Sequence, residues 1–263
     1  MEYKTIQCHS LLNRITRKDT LFHGVYTIDP YQNCEYKCTY CDSSIEDIIY
    51  IKINAHQVLE KEIKQIPKGL IIVGSVHDPY QKAEEKYEIT RDILKIIKKN
   101  NFPCQILTKS KLVLRDIDVL SKIKDCKVTI SILGLNKSIL NVFEKNVPNT
   151  RERLKTVETL SKNGIKTGIA IIPVLPYIIE TELEKIIESA FKHKASYIIH
   201  KHLELKGDQK IYFMKTLEKY YPHLIHRYEE LFKNRIIPKE KYISELKKLV
   251  NKYIEKYEIS NKI

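Results

Sequence analysis

The sequence has no apolar run long enough to cross a bilayer. Its longest apolar stretch, Gly168 to Ile179, falls short of the about 20 residues a spanning helix needs and is interrupted by Pro173 and Pro176. The opening Met1-Glu-Tyr-Lys-Thr-Ile6 lacks the basic-then-apolar order of an export signal. Both absences point to a cytoplasmic protein with no membrane partner. Arginine is scarce, with 8 Arg against 38 Lys, although Arg is favoured where phosphates or base edges are gripped bidentately. The net charge of +13 therefore leaves two readings open. It attracts a polyanion such as DNA or RNA, or it follows from a composition rich in Lys, Ile, Asn and Tyr. No Gly/Ser/Pro-rich linker, internal repeat or low-complexity block divides the chain.

What is present is a chain of 263 residues, 43% apolar, enough to bury a substantial core in one globular domain. Short β-branched runs predict strands at Val25 to Asp29, Leu70 to Ser75, Cys104 to Thr108, Val128 to Ile132, Thr167 to Ile172 and Ser196 to His200. Amphipathic helical patterns lie between them, as where Leu183, Ile186, Ile187, Ala190 and Phe191 share one face. Asn149 with Glu152 and Thr181 with Glu184 predict capping boxes, and Gly164 predicts a helix stop. This is a repeated β-α unit, an α/β fold with six parallel strands. Periodicity alone leaves an open doubly wound sheet and a partial barrel equally allowed. In either, function gathers at the C-terminal ends of the strands. Past residue 205 the segments turn helical and rich in Lys and Tyr, with Leu246, Leu249, Val250, Tyr253 and Tyr257 on one stripe. The expected organisation is an α/β body over residues 1–205 and a helical extension over residues 206–263, packed on it or covering its mouth.

Of six cysteines, three lie within eight residues, at Cys34, Cys38 and Cys41. With no export signal, such a cluster suggests metal or redox chemistry rather than disulfides. Offsets of four and three let three thiolates converge from a loop, as an iron-sulfur cluster requires. A structural stripe is disfavoured because no aliphatic residue occurs from Gln32 to Ser44. Zinc would want a fourth Cys or His at paired spacing, and a Cys38–Cys41 redox pair would leave Cys34 idle. A 4Fe-4S cluster is the reading preferred, with zinc, redox and structural roles as alternatives. Cys8, Cys104 and Cys126 read as buried small hydrophobes.

C-x3-C-x2-C with Tyr40 before the last cysteine, just after the first strand, resembles the radical S-adenosylmethionine (radical SAM) superfamily. Further blocks narrow the likeness: Asp29-Pro-Tyr-Gln-Asn-Cys34, Gly74-Ser-Val-His-Asp78-Pro-Tyr80-Gln81, Leu107-Thr-Lys-Ser110, Leu114-Arg115-Asp116, Arg153 and Gly168 to Pro176. Together they are similar to the spore photoproduct lyase-like group, often called DNA repair photolyases, from about Cys8 to Phe232. The resemblance implies a partial (β/α)6 TIM barrel with the C-terminal helical extension. It implies that Cys34, Cys38 and Cys41 hold three irons of the cluster, with S-adenosyl-L-methionine on the fourth. It places Tyr40 by the adenine, Ser75 at the methionyl amino group, Lys109 at the carboxylate and Ser131 at the ribose. Reductive cleavage of the cofactor to a 5'-deoxyadenosyl radical follows, fed by a flavodoxin- or ferredoxin-type reductant, with nucleic acid as the substrate. A peptide or small-molecule substrate, or a cluster protein that no longer cleaves the cofactor, are the competing expectations. Three departures stand out. The second strand, Gly69 to Val76, lacks the hydrogen-donating cysteine of the lyase; Asn33 replaces a glycine; Glu144-Lys145 replaces Glu-Pro. The pattern attaches no role to Asp78, Tyr80 or Arg115.

Overall fold

A computed structural model describes residues 1–44 and 46–263. Its strands in chain order are β1 Glu2–Ile6, β2 Leu12–Arg14, β3 Tyr26–Ile28, β4 Tyr31–Gln32, β5 Ile48–Lys52, β6 Ile71–Val73, β7 Cys104–Thr108, β8 Cys126–Ser131, β9 Lys166–Val174 and β10 Tyr197–His202. The α-helices are α1 Ala55–Glu62, α2 Ala83–Tyr87, α3 Ile89–Lys99, α4 Ile117–Leu120, α5 Lys137–Phe143, α6 Thr150–Lys162, α7 Leu183–Lys192, α8 Gly207–Tyr220, α9 Ile225–Phe232 and α10 Glu240–Lys256.

The main sheet runs β10-β9-β8-β7-β6-β3-β2, with β3 and β6 to β10 parallel and β2 antiparallel at the edge. All six strands expected from the β-branched runs are present, and the sheet is an unclosed, partial (β/α)6 barrel. A second, three-stranded sheet, β1-β5-β4, was not foreseen: β1 has every residue but Ile6 exposed, so it carries little apolar pattern. The far edge of the main sheet is partly covered by the tail, where Ser260 bridges to Tyr197 and accepts a bond from the Ile198 amide.

Successive strand residues face opposite sides. Ile106, Val128, Ile130, Ile169, Ile171 and Ile198 belong to the large core that also takes in the buried faces of the helices. Ala170, Tyr197 and Ile199 form a separate small cluster with Leu21, Phe22, Leu107 and Ile263. Burying aliphatic side chains on this scale is the main source of stability. Within the sheet the Tyr197 hydroxyl lies 2.7 Å from Thr129 Oγ1, and Gln105 Nε2 also donates to Thr129.

Local signals agree in part with the sequence. Asn149 caps α6, its side chain accepting from the Glu152 amide at 2.9 Å, and Gly164 at φ +74° follows that helix's end. The capping box expected at Thr181 is not formed. A 3-10 turn occupies Glu180–Glu182, and α7 starts at Leu183 without a side-chain cap. Glu184 pairs with Lys256 at 2.5 Å, and the neighbouring Glu182 accepts from the Leu135 amide at 2.8 Å, long-range contacts that local spacing cannot reveal. Leu183, Ile186, Ile187 and Ala190 are buried, whereas Phe191 at the rim is 51% exposed and meets Tyr257 at a tilt of 40°. Beyond His202 the chain is helical, and α10 packs on α7 and β10. Among the described residues no helix is long and apolar enough to cross a membrane.

Candidate active site

The loop after β4 carries the three clustered cysteines. Asn33 sits at φ +66° and Lys37 at φ +50°, so the chain reverses through two left-handed residues around Cys34. Asparagine tolerates that conformation better than most side chains, so Asn33 can fill a position where the family resemblance implies glycine. Its amide also donates to the Ile48 carbonyl at 2.8 Å. Gln81, fully buried, accepts from the Glu35 amide at 2.9 Å and donates to the Asn33 carbonyl at 3.2 Å, clamping the loop from the strand β6 side.

Cys34, Cys38 and Cys41 line one cavity of about 400 Å³ together with Tyr40, Ser75, Lys109 and Ser131. Ser75 follows β6, Lys109 follows β7 and Ser131 ends β8, so the cavity opens at the C-terminal ends of the parallel strands. Asp29, just past β3, shapes the first of these: it accepts from Ser75 Oγ and from the amides of Val76 and His77, each at 3.0 Å. Asp78 shapes the second, accepting from Thr108 Oγ1 and the Lys109 amide at 2.7 Å and the Tyr80 amide at 2.9 Å. Burial raises the Asp78 carboxyl above its ordinary value against those bonds. Tyr80 and Arg115 stand one layer back. The Tyr80 hydroxyl donates to Asp116 at 3.0 Å, while Arg115 pairs with Asp116 at 2.9 Å and Glu84 at 2.5 Å.

Behind Tyr40 lies a buried ionic network. Its hydroxyl donates to Glu144, whose other oxygen accepts from Arg153 at 2.6 Å, and Arg153 also donates to the Ser131 carbonyl at 2.8 Å. The cysteine loop is thereby tied to the end of β8. Lys109 Nζ stands 5.9 Å from the Tyr40 ring centroid. Burial opposes its charge, but Cys38, Glu144, Cys41 and Asp78 around it outweigh burial and raise its pKa. A fixed cation thus faces the cavity.

The donor set bears on which metal group fits. Cys34 is pushed up to about 12 by burial and the nearby Asp78 charge, with the amides of Tyr36 and Asp78 directed at its sulfur. Cys38 is likewise raised by burial. Such thiols ionise readily only against a strong positive charge. Tetrahedral ligation of one ion at about 2.3 Å gathers sulfurs about 4 Å apart. Among the described residues no group of three or more Cys, His, Asp or Glu is gathered that way. Three thiols lining one open cavity, with amides aimed at a sulfur, would suit a polynuclear iron-sulfur cluster. Cys104 and Cys126 are paired in register at the start of β7 and β8, at the other end of the strands, and Cys8 bonds Asn54; none of the three lines the cavity.

The remaining wall was not legible in the sequence. Lys201, His202, Leu203 and Glu204 from the end of β10, with Lys206 and Gln209 at the start of α8, complete the cavity. Gln209 donates to the Tyr40 carbonyl at 2.8 Å, and Lys206 pairs with Asp42 at 2.8 Å. These side chains join the cysteine loop from more than 160 residues away in sequence, a separation no local pattern bridges. Of the tyrosines in the extension, Tyr228 is buried and Tyr242 and Tyr253 are half-buried; Tyr212 and Tyr220 are about half exposed, at 52% and 50%. They are mostly packing residues, not a stacking platform.

Fold and site together define a partial α/β barrel with a three-cysteine loop at its mouth. The family model of the radical SAM superfamily matches residues 28–190, and the chain belongs to that superfamily. Its cofactors are a 4Fe-4S cluster and S-adenosylmethionine. An uncharacterized protein of Methanocaldococcus jannaschii is 31% identical over 204 residues, covering 75% of this chain and 76% of that one. An uncharacterized protein of Mycobacterium tuberculosis is 23% identical over 278 positions, covering 98% of this chain and 82% of its own. Among solved structures, a spore photoproduct lyase mutant superposes with TM-score 0.75 at 16% identity, covering 97% of this chain and 79% of that chain. Another variant of that lyase, with bound AdoMet and dinucleoside spore photoproduct, gives 0.74 at 15% identity over the same shares. Streptococcus suis SuiB bound to S-adenosylmethionine gives 0.59 at 14% identity, covering 88% of this chain and 48% of that chain. These likenesses describe the fold.

Proposed function

We propose that this radical SAM enzyme acts on nucleic acid, with Cys34, Cys38 and Cys41 as cluster ligands and Tyr40, Ser75, Lys109 and Ser131 as the S-adenosylmethionine contacts. The observation that carries the reading is the convergence of all seven side chains on one cavity at the strand ends. When bound and reduced, the cluster supplies an electron that breaks the sulfonium C–S bond, giving methionine and a 5'-deoxyadenosyl radical that removes hydrogen from a substrate. The chain's own residues hold the cofactor. Lys109 offers a carboxylate a fixed ammonium, and the hydroxyls of Ser75 and Ser131 offer polar contacts at neighbouring strand ends. Tyr40 offers a ring face for adenine, braced from behind by Glu144. We take residues 1–205 as the barrel and 206–263 as an extension whose first helix walls the cavity.

Nucleic acid is favoured as substrate by the +13 charge and by likeness over nearly the whole chain to a lyase whose solved form binds a dinucleoside photoproduct. A peptide is the second reading, because SuiB is also seen with its precursor peptide, at TM-score 0.57. Among the described residues only Cys34, Cys38 and Cys41 of the cysteines line the cavity, and the second strand carries none, which favours a reaction other than the lyase's own or a different hydrogen donor. The test is anaerobic reconstitution with a flavodoxin or ferredoxin reductant at moderate salt. 5'-Deoxyadenosine is then measured with ultraviolet-irradiated DNA, undamaged DNA, RNA or no addition. Turnover stimulated by one nucleic acid, with a change in that nucleic acid, is expected. Cofactor cleavage that none of them alters would overturn the substrate assignment and leave the radical chemistry standing.

A further inference from the structure

The cavity wall contributed by β9 and β10 has no part in the cofactor assignments above. Lys201 and His202 line the cavity, as do Ile172 and Pro173 on the neighbouring strand. The register between the two strands is irregular: His200 pairs with Ile171 but His202 with Val174, so the extra residue lies on β9, where Ile172 and Pro173 stand opposite Lys201 alone. Such irregularities bend the bulged strand and re-aim its side chains beside active sites. On this wall His202 carries an unpaired ring nitrogen: Nε2 is buried and has no hydrogen-bond partner. Burial also lowers the imidazole's pKa, with Glu204 opposing and Lys201 reinforcing, so it is neutral near pH 7 and presents one donor and one acceptor.

The surroundings select the ligand's chemistry. Ile172, Pro173 and Leu203 line the same wall, an apolar flank suited to a flat neutral ring rather than to a phosphate. The nearby cations are already engaged, Lys201 with Glu204 at 2.6 Å and Lys206 with Asp42 at 2.8 Å. An unpaired buried nitrogen costs free energy until a ligand satisfies it. We propose that His202 is a substrate-contacting, specificity-determining residue that hydrogen-bonds the carbonyl or imide edge of a nucleobase held against Pro173 and Leu203. This rests on the nucleic-acid reading above and names the group that recognises the base.

The test uses reconstituted holoenzyme with S-adenosylmethionine and three probes: irradiated thymidine dinucleotide, the same dinucleotide without irradiation, and an abasic analogue with the same phosphate. His202→Ala should weaken binding of the irradiated dinucleotide about tenfold, the value of one net hydrogen bond. Binding of the abasic analogue, iron content and S-adenosylmethionine affinity should stay at wild-type values. His202→Gln, which keeps a neutral donor and acceptor, should recover most of the loss. Wild-type affinity for the base-containing probe in His202→Ala overturns the assignment while the nucleic-acid reading stands. Equal losses for the abasic analogue, or parallel loss of iron, would show a structural role and overturn it too. If wild-type enzyme does not distinguish base-containing from abasic probes, the nucleic-acid reading itself fails, and the His202 assignment with it.

Discussion

Arg153 is 1% exposed and has one carboxylate partner, Glu144, at 2.6 Å. Replacing it with Met keeps the volume and removes the charge, leaving Glu144 buried with Tyr40 as its remaining bonded partner. Breaking one side of a buried pair in this way costs about 3–5 kcal/mol. At about 2–4 °C per kcal/mol for a chain of this size, Tm should fall by about 6–20 °C. Removing both charges, in Arg153→Met with Glu144→Met, should recover a large part of that loss, because the uncompensated carboxylate is gone. Cofactor affinity should not recover with stability. The double variant still lacks the links from Tyr40 to Glu144 and from Arg153 to the Ser131 carbonyl, so ring and strand end are no longer held together. The assay is a double-mutant cycle by urea unfolding, run beside S-adenosylmethionine binding to the reconstituted protein. The reasoning is refuted if the single Arg153 variant loses less than about 1 kcal/mol, the range of a solvated pair. It is equally refuted if the double variant regains both stability and cofactor affinity.

Anaerobic reconstitution should give about four irons and four sulfides per chain, and Cys38→Ala should abolish them; tight zinc without iron uptake would point to another metal. Lys109→Ala should weaken S-adenosylmethionine binding by about 10- to 150-fold, the worth of a charge-assisted contact of about 1.5–3 kcal/mol, with iron content unchanged. Equilibrium dialysis with labelled cofactor measures it, and unaltered affinity would remove Lys109 from the site. Burial holds the His200 imidazole at about 4 against an ordinary value of 6.5, so the unfolded chain takes up this proton first as pH falls. The stability it contributes is full above about pH 6.5 and is lost on the way down to about pH 4, by at most about 3 kcal/mol. Urea unfolding at about pH 7.5 and about pH 4.5 should therefore show a smaller acid loss in His200→Asn than in the parent; an equal loss would mean the imidazole is not desolvated.

The sequence by itself determined the β-α order, because β-branched runs and helical spacing are local and the strands they make lie within a few residues of the expected bounds. It also placed the three cysteines on one loop, since their offsets need no distant partner, and Asn149 capped its helix for the same reason. Tertiary structure decided what depends on contacts across the chain. Asp29 shapes the Ser75 loop through bonds spanning more than 45 residues, and Glu144 reaches Tyr40 across 104. The Thr181 box did not form: a 3-10 turn takes in Thr181, and Glu184 pairs with Lys256 from the far end of the chain. Whether the parallel strands formed an open sheet or a curved barrel was likewise settled only by packing. So was the part of the cavity built from His202, Lys206 and Gln209, whose residue types and spacing carry no signal of their own. The register shift between β9 and β10 set Ile172 and Pro173 opposite Lys201 alone at the cavity wall, and that is a property of strand pairing, which exists only once the chain has folded.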